Sequence, residues 1–143
     1  MAQIKRHASA EWHGSGKDGT GSLTTQSGAL KNTPYGFNAR FGDGKGTNPE
    51  ELIAVAHAGC FSMATAFQLS GAGHVPESLH CDATLTIEQV SGGWKISAVH
   101  LTLKGKVPGI TAARFTELAE EAKTNCPVSK VLNAQITLSA TLE

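Results

Sequence analysis

Residues 49–70 read PEELIAVAHAGCFSMATAFQLS, and this stretch decides the fold of the chain. Asn48 precedes it as a capping residue, Pro49 suits the first helical position, and two glutamates favour the first turn. Gly71 and Gly73 follow its end. The sequence therefore predicts a helix over about residues 49–70.

This helix carries no Asp, Glu, Lys or Arg after Glu51, and the next charge is Glu77. The length of this uncharged stretch raises the possibility of a membrane span. Polar His57, Ser62 and Thr65 in its middle, and the glycines at its end, argue against one. We therefore expect no insertion into a membrane.

A helix that is apolar on every side must be covered on every side. The strands of one chain of 143 residues most easily cover one side only. Small residues along the helix would let a second backbone approach closely: Ala54, Ala56, Ala58, Gly59, Ala64 and Ala66. We predict a homodimer with this helix at its centre.

Strands are predicted on both sides of the helix in the sequence. Before it lie a hairpin over residues 4–12 and 20–25 and a strand over 35–41, in which Arg40 points away from an aromatic face. The elements after it are a long hairpin over 79–103 with a bulge near its middle, an amphipathic helix over 111–124 and a strand over 135–142. The class is α+β, and the length predicts a single domain over 1–143.

The charge balance excludes some partners. Twelve basic and 12 acidic side chains give a formal net charge of zero, so nucleic acid and anionic membranes are not expected to bind. Residues 1–12 contain charges and no apolar run, so we expect no secretory signal and a cytoplasmic location. Three cysteines, Cys60, Cys81 and Cys126, are too few for a disulfide framework, and in a reducing compartment they serve packing or reactivity.

Two of the thiols allow a chemical interpretation. Cys60 lies in the middle of the long helix, and Cys126 lies at the end of the second helix before Pro127. A single buried cysteine usually packs as a small hydrophobe. If the fold brings these two together, one can attack an oxidant as a thiolate and the other can condense with the resulting sulfenic acid. Such a thiolate needs a nearby cation, for which Arg40 is the candidate.

Four motifs together resemble the OsmC/Ohr family over nearly the whole chain. They are PYGFNARF at residues 34–41, GTNPEELI at 46–53, HAGCFSMA at 57–64 and CPVS at 126–129. The resemblance implies antiparallel sheets packed around a central apolar helix in an intertwined homodimer. It also implies a thiol-dependent peroxidase of oxidative and osmotic stress defence that reduces organic hydroperoxides, and hydrogen peroxide less well.

The resemblance also implies roles for individual residues. Cys60 is expected to be the peroxidatic thiol and Cys126 the resolving thiol. Arg40 is expected to stabilise the thiolate and the peroxide, and Glu50 to orient Arg40. The expected reductant is an external dithiol of the lipoyl type or similar, with no prosthetic group and no metal.

The position of Glu50 bears on the predicted dimer. Ten residues of α-helix rise about 15 Å, which is further than a glutamate side chain reaches, so Glu50 cannot touch Cys60 of its own helix. Glu50 could act through a bend, through a relay or from a second, antiparallel copy of the helix. The last option predicts two composite active sites per dimer.

Two other functions stay open at this point. A redox-regulated binding module would use the Cys60 and Cys126 thiols without turnover. A metal site from these thiols and His57 has acceptable spacing on one helix face, but it lacks a fourth ligand. Cys81, at the start of a predicted strand, is interpreted as a packing residue.

Overall fold

The computed structural model describes residues 2–143 as two compact units, one ending at Leu52 and the other spanning Ile53–Glu143. The elements of the first unit are strands β1 (Ala8–His13), β2 (Thr20–Thr25) and β3 (Thr33–Tyr35) and the short helix α1 (Phe37–Phe41). The three strands form one antiparallel sheet in the order β1-β2-β3, which confirms the predicted N-terminal hairpin.

The predicted strand over residues 35–41 is wrong, because the chain forms α1 after Tyr35. The two-residue spacing that suggested a strand also places Phe37 and Phe41 one helical turn apart. Their rings pack with centroids 5.1 Å apart. Extended Gly36 separates β3 from α1. Arg40 does not point away from the aromatic rings, since its Cζ lies 5.1 Å from the centroid of Phe41.

The long predicted helix is α2 (Pro49–Gly71), which begins in the first unit and continues into the second. The other elements of the second unit are β4 (Ser78–Val90), β5 (Gly93–Lys106), α3 (Ala112–Asn125), α4 (Pro127–Val131) and β6 (Gln135–Leu142). Strands β4 and β5 form the predicted antiparallel hairpin. The chain returns through α3 and α4, so β6 lies parallel to β5, which departs from the expected antiparallel sheets.

The predicted bulge lies in the β4–β5 hairpin. Thr86 pairs with Ala98, and the next residue, Ile87, pairs with Ile96. Ser97 is therefore the extra residue of β5, and this insertion explains the change of apolar phase along the strand.

One face of α2 packs into the core of the second unit. Its fully buried residues recur every fourth position: His57, Phe61, Thr65 and Leu69. The core also includes the predicted apolar face of α3 and three residues of β5: Phe115, Leu118, Ala119, Ala122, Val99, Leu101 and Leu103. Gly105 of β5 permits this packing, because a Cβ there would overlap the ring of Phe115.

The other face of α2 is exposed. Val55, Met63 and Phe67 are 65%, 65% and 73% exposed, and a Cβ on Gly59 would meet no atom within 4 Å. By length and composition alone α2 could cross a membrane, but its buried His57 belongs to a face that packs on protein. Val55, Gly59, Met63 and Phe67 are called the exposed stripe below.

Candidate active site

The structure brings Cys60 and Cys126 together. Their Sγ atoms lie 2.7 Å apart, and the two residues are 66 positions apart in the sequence. Both are free thiols. Because a disulfide bond is about 2.05 Å long, a movement of less than about 1 Å would join the sulfurs.

Each thiol is positioned by a helix. Cys60 lies on α2 and is half-buried, whereas Cys126 is fully buried between α3 and α4. The Cys126 N–H donates to the carbonyl of Ala122, and Pro127 ends α3 as the sequence predicts. A solvent-borne oxidant therefore reaches Cys60 more readily than Cys126.

The surroundings of Cys60 favour the neutral thiol. Burial raises the pKa of Cys60, and the adjacent Cys126 sulfur raises it further. The backbone N–H of Val128 donates to the Cys60 sulfur and opposes this rise in pKa. None of the causes of the shift is a cation. A thiolate at neutral pH therefore needs positive charge beyond these contacts.

A second contact joins α2 to the segment that carries Cys126. His57 Nε2 lies 2.8 Å from Ser129 Oγ. Burial lowers the pKa of His57, so the ring is neutral. Its Nδ1 atom is buried and has no hydrogen-bond partner among residues 2–143.

Arg40 and Glu50 form a bidentate ion pair within one chain. Arg40 Nε donates to Glu50 Oε1 at 2.7 Å, and a terminal guanidinium nitrogen donates to Oε2 at 3.2 Å. Glu50 is 7% exposed, while the Arg40 side chain is 41% exposed. The expected orienting role of Glu50 therefore has its geometry inside a single subunit, and the guanidinium keeps a face free of this carboxylate.

The side chain of Asn48 connects α1 to α2. Its Oδ1 accepts the N–H of Glu51 at 2.7 Å, as the predicted cap should, and its Nδ2 donates to the carbonyl of Ala39 at 3.0 Å. Ala39 precedes Arg40, and Glu51 follows Glu50. One amide thus fixes the backbone on both sides of the ion pair.

Aromatic rings line a cavity of about 220 Å³ beside Arg40 in the first unit. The side chains lining it are those of Trp12, Tyr35, Phe37, Arg40 and Phe41. The cavity therefore combines apolar walls with one guanidinium, a chemistry that suits an alkyl group attached to a polar oxygen.

Cys81 lies apart from this chemistry. It packs against the apolar core from β4, and burial raises its pKa to about 11. Within residues 2–143, no three His, Cys, Asp or Glu side chains are arranged to hold a metal ion. In the His57 ring, Nε2 is bonded to Ser129 Oγ.

The sequence does not predict two contacts of the site, which involve three residues already noted: Asn48 is predicted only as a cap, His57 is considered only as a ligand, and Ser129 has no role of its own. The signal available was the three-residue spacing in both motifs, from His57 to Cys60 and from Cys126 to Ser129. That spacing places His57 and Cys60 on one side of α2, and it places Ser129 in the first turn of α4, which Cys126 precedes.

Comparison with known proteins agrees with the motifs. A family model described as OsmC-like protein matches residues 42–141. Peroxiredoxin OsmC of Escherichia coli is 46% identical over 140 residues, which cover 98% of this chain and 98% of that protein. An organic hydroperoxide resistance protein of Xanthomonas axonopodis pv. citri is 32% identical over 115 residues, which cover 80% of this chain and 78% of that protein.

A solved structure shares the fold. The crystal structure of an organic hydroperoxide resistance protein from Elizabethkingia anophelis superposes with a TM-score of 0.78. The match covers 99% of both chains at 22% sequence identity. At this sequence identity the match shows that the two proteins share the α+β fold.

Proposed function

The chain belongs to the OsmC family and is a peroxidase of peroxide stress defence, and from this premise we propose that it reduces organic hydroperoxides with Cys60 as the attacking thiol. Cys126 is the resolving thiol. The observation that carries the proposal is the 2.7 Å approach of the two sulfurs. The different exposure of the two thiols supports the assignment of their roles, since Cys126 is fully buried.

The first step is a nucleophilic displacement. The Cys60 thiolate attacks the outer oxygen of ROOH, an S–O bond forms and the O–O bond breaks. The alkoxide leaves and takes up a proton to become an alcohol, and Cys60 is left as a sulfenic acid. Sulfur is oxidised by two electrons, and the peroxide is reduced by two.

The second step closes a disulfide. The Cys126 sulfur attacks the Cys60 sulfur and expels the hydroxyl group, which leaves as water with the Cys126 proton. An external dithiol, of the lipoyl type or similar, then reduces the disulfide by exchange and is itself oxidised. The chemistry requires no prosthetic group, and we place the enzyme in the cytoplasm.

Arg40 supplies the positive charge that the Cys60 surroundings lack. A guanidinium near the sulfur would favour the thiolate and stabilise charge that moves onto the peroxide oxygens. The bidentate bond to Glu50 fixes the plane of the guanidinium. The aromatic cavity beside Arg40 supports a preference for organic hydroperoxides over hydrogen peroxide, because an alkyl group gains contacts there.

We further propose a homodimer in which two copies of α2 face each other through the exposed stripe. In this dimer Arg40 and Glu50 of one subunit act as a unit on Cys60 of the other. The stripe is apolar, and Gly59 in its middle allows close approach of a second helix. No nucleic acid or membrane partner is included in the proposal.

Mixed dimers test this sharing. One subunit carries Cys60→Ser and the other carries Arg40→Met, so each homodimer lacks one part of the site. If the subunits share sites, the mixed dimer regains one working site of two. Mixed dimers without activity contradict sharing. Mixing Cys60→Ser with Glu50→Gln tests in the same way whether Glu50 acts on Cys60 of the other subunit.

A single-turnover experiment tests the chemistry itself. Reduced protein receives one equivalent of tert-butyl hydroperoxide without reductant, and the products are identified by mass spectrometry. The proposal predicts one tert-butanol per chain and a Cys60–Cys126 disulfide, and in Cys126→Ser a sulfenic acid at Cys60. Reversible thiol oxidation without alcohol formation would instead favour a redox-regulated binding module.

A further inference from the structure

The residues 126–129, called the resolving segment here, are bound to α2 by two parallel contacts. The first is the contact between the Cys126 and Cys60 sulfurs. The second is the hydrogen bond between Ser129 Oγ and His57 Nε2, which joins positions 72 residues apart. His57 and Cys60 are three residues apart on α2, and Cys126 and Ser129 are three residues apart where α4 begins. The two contacts therefore lie side by side.

The two contacts differ in what the reaction does to them. The proposed chemistry changes the sulfur contact at every step, because Cys60 is in turn a thiolate, a sulfenic acid and half of a disulfide. The contact between His57 and Ser129 contains no redox-active atom. It can therefore persist while the sulfur contact is rearranged.

The surroundings of His57 fix the direction of its hydrogen bond. The ring is fully buried, and Nδ1 has no partner among the described residues. An N–H group buried without an acceptor is rare in proteins, which places the ring proton on Nε2. The Nε2–H group then donates to Ser129 Oγ.

We propose that the hydrogen bond from His57 to Ser129 is a positioning contact that holds Cys126 within attack range of Cys60 while Cys60 is a sulfenic acid. This inference rests on the proposed peroxidase function. His57 and Ser129 exchange no proton or electron in the reaction. They act by keeping the resolving segment against α2, so that the buried Cys126 sulfur is already positioned to attack the Cys60 sulfur.

The test separates formation of the sulfenic acid from its resolution. Reduced protein is mixed with one equivalent of tert-butyl hydroperoxide, quenched at set times with dimedone, and analysed by mass spectrometry. Ser129→Ala and His57→Leu remove the contact. Ser129→Thr keeps the hydroxyl group, and His57→Gln keeps an N–H donor near the position of Nε2.

Thr65→Ala is the matched control. Thr65 is fully buried on the same face of α2 as His57, and its hydroxyl donates to the Phe61 carbonyl at 2.8 Å. Its truncation therefore loosens the packing of the same helix face without touching the resolving segment. Urea unfolding of every variant gives the loss of stability for comparison.

We expect the sulfenic acid to form at the wild-type rate in all variants. In Ser129→Ala and His57→Leu its conversion to disulfide slows by about tenfold, which is the scale for one lost hydrogen bond with a buried partner left unpaired. Dimedone adducts then accumulate. Ser129→Thr and His57→Gln recover most of the rate, and Thr65→Ala keeps it despite its lower stability.

Two results would overturn the inference. One is disulfide formation at the wild-type rate in both Ser129→Ala and His57→Leu. The other is an equal slowing in Thr65→Ala, which would assign the effect to general packing.

Diamide oxidation of the same variants makes the test independent of peroxide chemistry. Diamide takes two electrons and two protons from the thiol pair. Formation of the disulfide by diamide also requires Cys126 to reach Cys60. If peroxide produces neither a sulfenic acid nor a disulfide at Cys60 of wild-type protein, the proposed function fails. The diamide rates still decide the role of His57 and Ser129.

Discussion

At the scale of single residues, the Cys60 thiol and the Arg40 guanidinium differ in their surroundings. The Cys60 thiol has its pKa raised by burial, so it is poorly ionised in its own surroundings. Arg40 is fixed by Glu50 through two hydrogen bonds and keeps a partly exposed guanidinium. In the proposed mechanism, the positive charge of Arg40 lies next to the sulfur of Cys60.

Replacing Arg40 tests this contrast. Arg40→Met should lower the second-order rate constant for tert-butyl hydroperoxide by about 10²- to 10³-fold, the scale for removing one group that stabilises developing charge. Arg40→Lys should be impaired as well, because an ammonium cannot form the bidentate bond with Glu50. Stopped-flow assays measure the rates.

Arg114 offers a matched control on α3. It pairs with Glu117 at 2.8 Å on the protein surface, and Arg114→Met should keep the wild-type rate. Equal rates in Arg40→Met and Arg114→Met would remove Arg40 from the mechanism.

The buried His57 makes a prediction about pH and stability. Because burial lowers its pKa in the folded state, the unfolded chain binds a proton near the ordinary value of 6.5 while the folded chain does not. The free energy of unfolding should therefore fall as the pH falls below about 6.5, by at most about 1.4 kcal/mol per pH unit for one proton.

Urea unfolding of wild type and His57→Gln at pH 7.5 and pH 5.5 measures this contribution. The other histidines are common to both proteins and cancel in the comparison. Wild type should lose more stability than His57→Gln on acidification. The same loss in both proteins would show that His57 titrates as if it were exposed.

At the scale of elements, the sequence predicts α2, α3 and most strands because their signals are local. Caps, prolines and apolar spacing mark both helices. The prediction fails at residues 35–41, where Phe37 and Phe41 fit a strand face and a helical turn equally well. In the structure this segment is helical, and the two rings pack with their centroids 5.1 Å apart.

The site shows the limit of local signals. Thiol chemistry makes the Cys60 and Cys126 pairing conditional on the fold and leaves Arg40 a candidate cation, and only the family resemblance assigns the residues their separate roles. The contact between His57 and Ser129 joins elements 72 residues apart, so no pattern within either segment specifies it. The bidentate bond likewise needs α1, which the sequence pattern does not reveal.

The link between α1 and α2 gives an element-scale prediction. Asn48→Ala removes a helix cap and the hydrogen bond to Ala39, so it should cost about 1 to 2 kcal/mol of stability. It should also slow the reaction with peroxide several-fold, because the Arg40 backbone loses its attachment.

Thr111→Ala is the control, since Thr111 caps α3 through the N–H of Arg114. It should lose similar stability and keep its rate. Thermal melts and stopped-flow assays distinguish the two variants. A full rate in Asn48→Ala would mean that the attachment does not position Arg40.

At the scale of the whole molecule, the exposed stripe on α2 is the main feature to explain. It presents Val55, Met63 and Phe67 to solvent in a single chain, and a contiguous apolar patch of this kind is typical of an interaction surface. The proposed dimer covers it and brings a second set of site residues.

Charging the stripe should separate the subunits. Met63→Glu places an unpaired carboxylate where two helices would meet, so the dissociation constant should rise by about 100-fold or more, as sedimentation velocity can measure. Val75→Glu changes an apolar side chain that is 72% exposed outside the helix, and it should leave association unchanged. Dimers of equal strength in both variants would place the interface elsewhere.

The most direct test of the central claim is peroxide consumption by purified protein in excess dithiothreitol. Wild type should turn over tert-butyl hydroperoxide faster than hydrogen peroxide, Cys81→Ser should match wild type, and Cys60→Ser should be inactive. Turnover that survives in Cys60→Ser would contradict the assigned nucleophile. No turnover in wild type, despite reversible oxidation of Cys60 and Cys126, would contradict the proposed peroxidase mechanism.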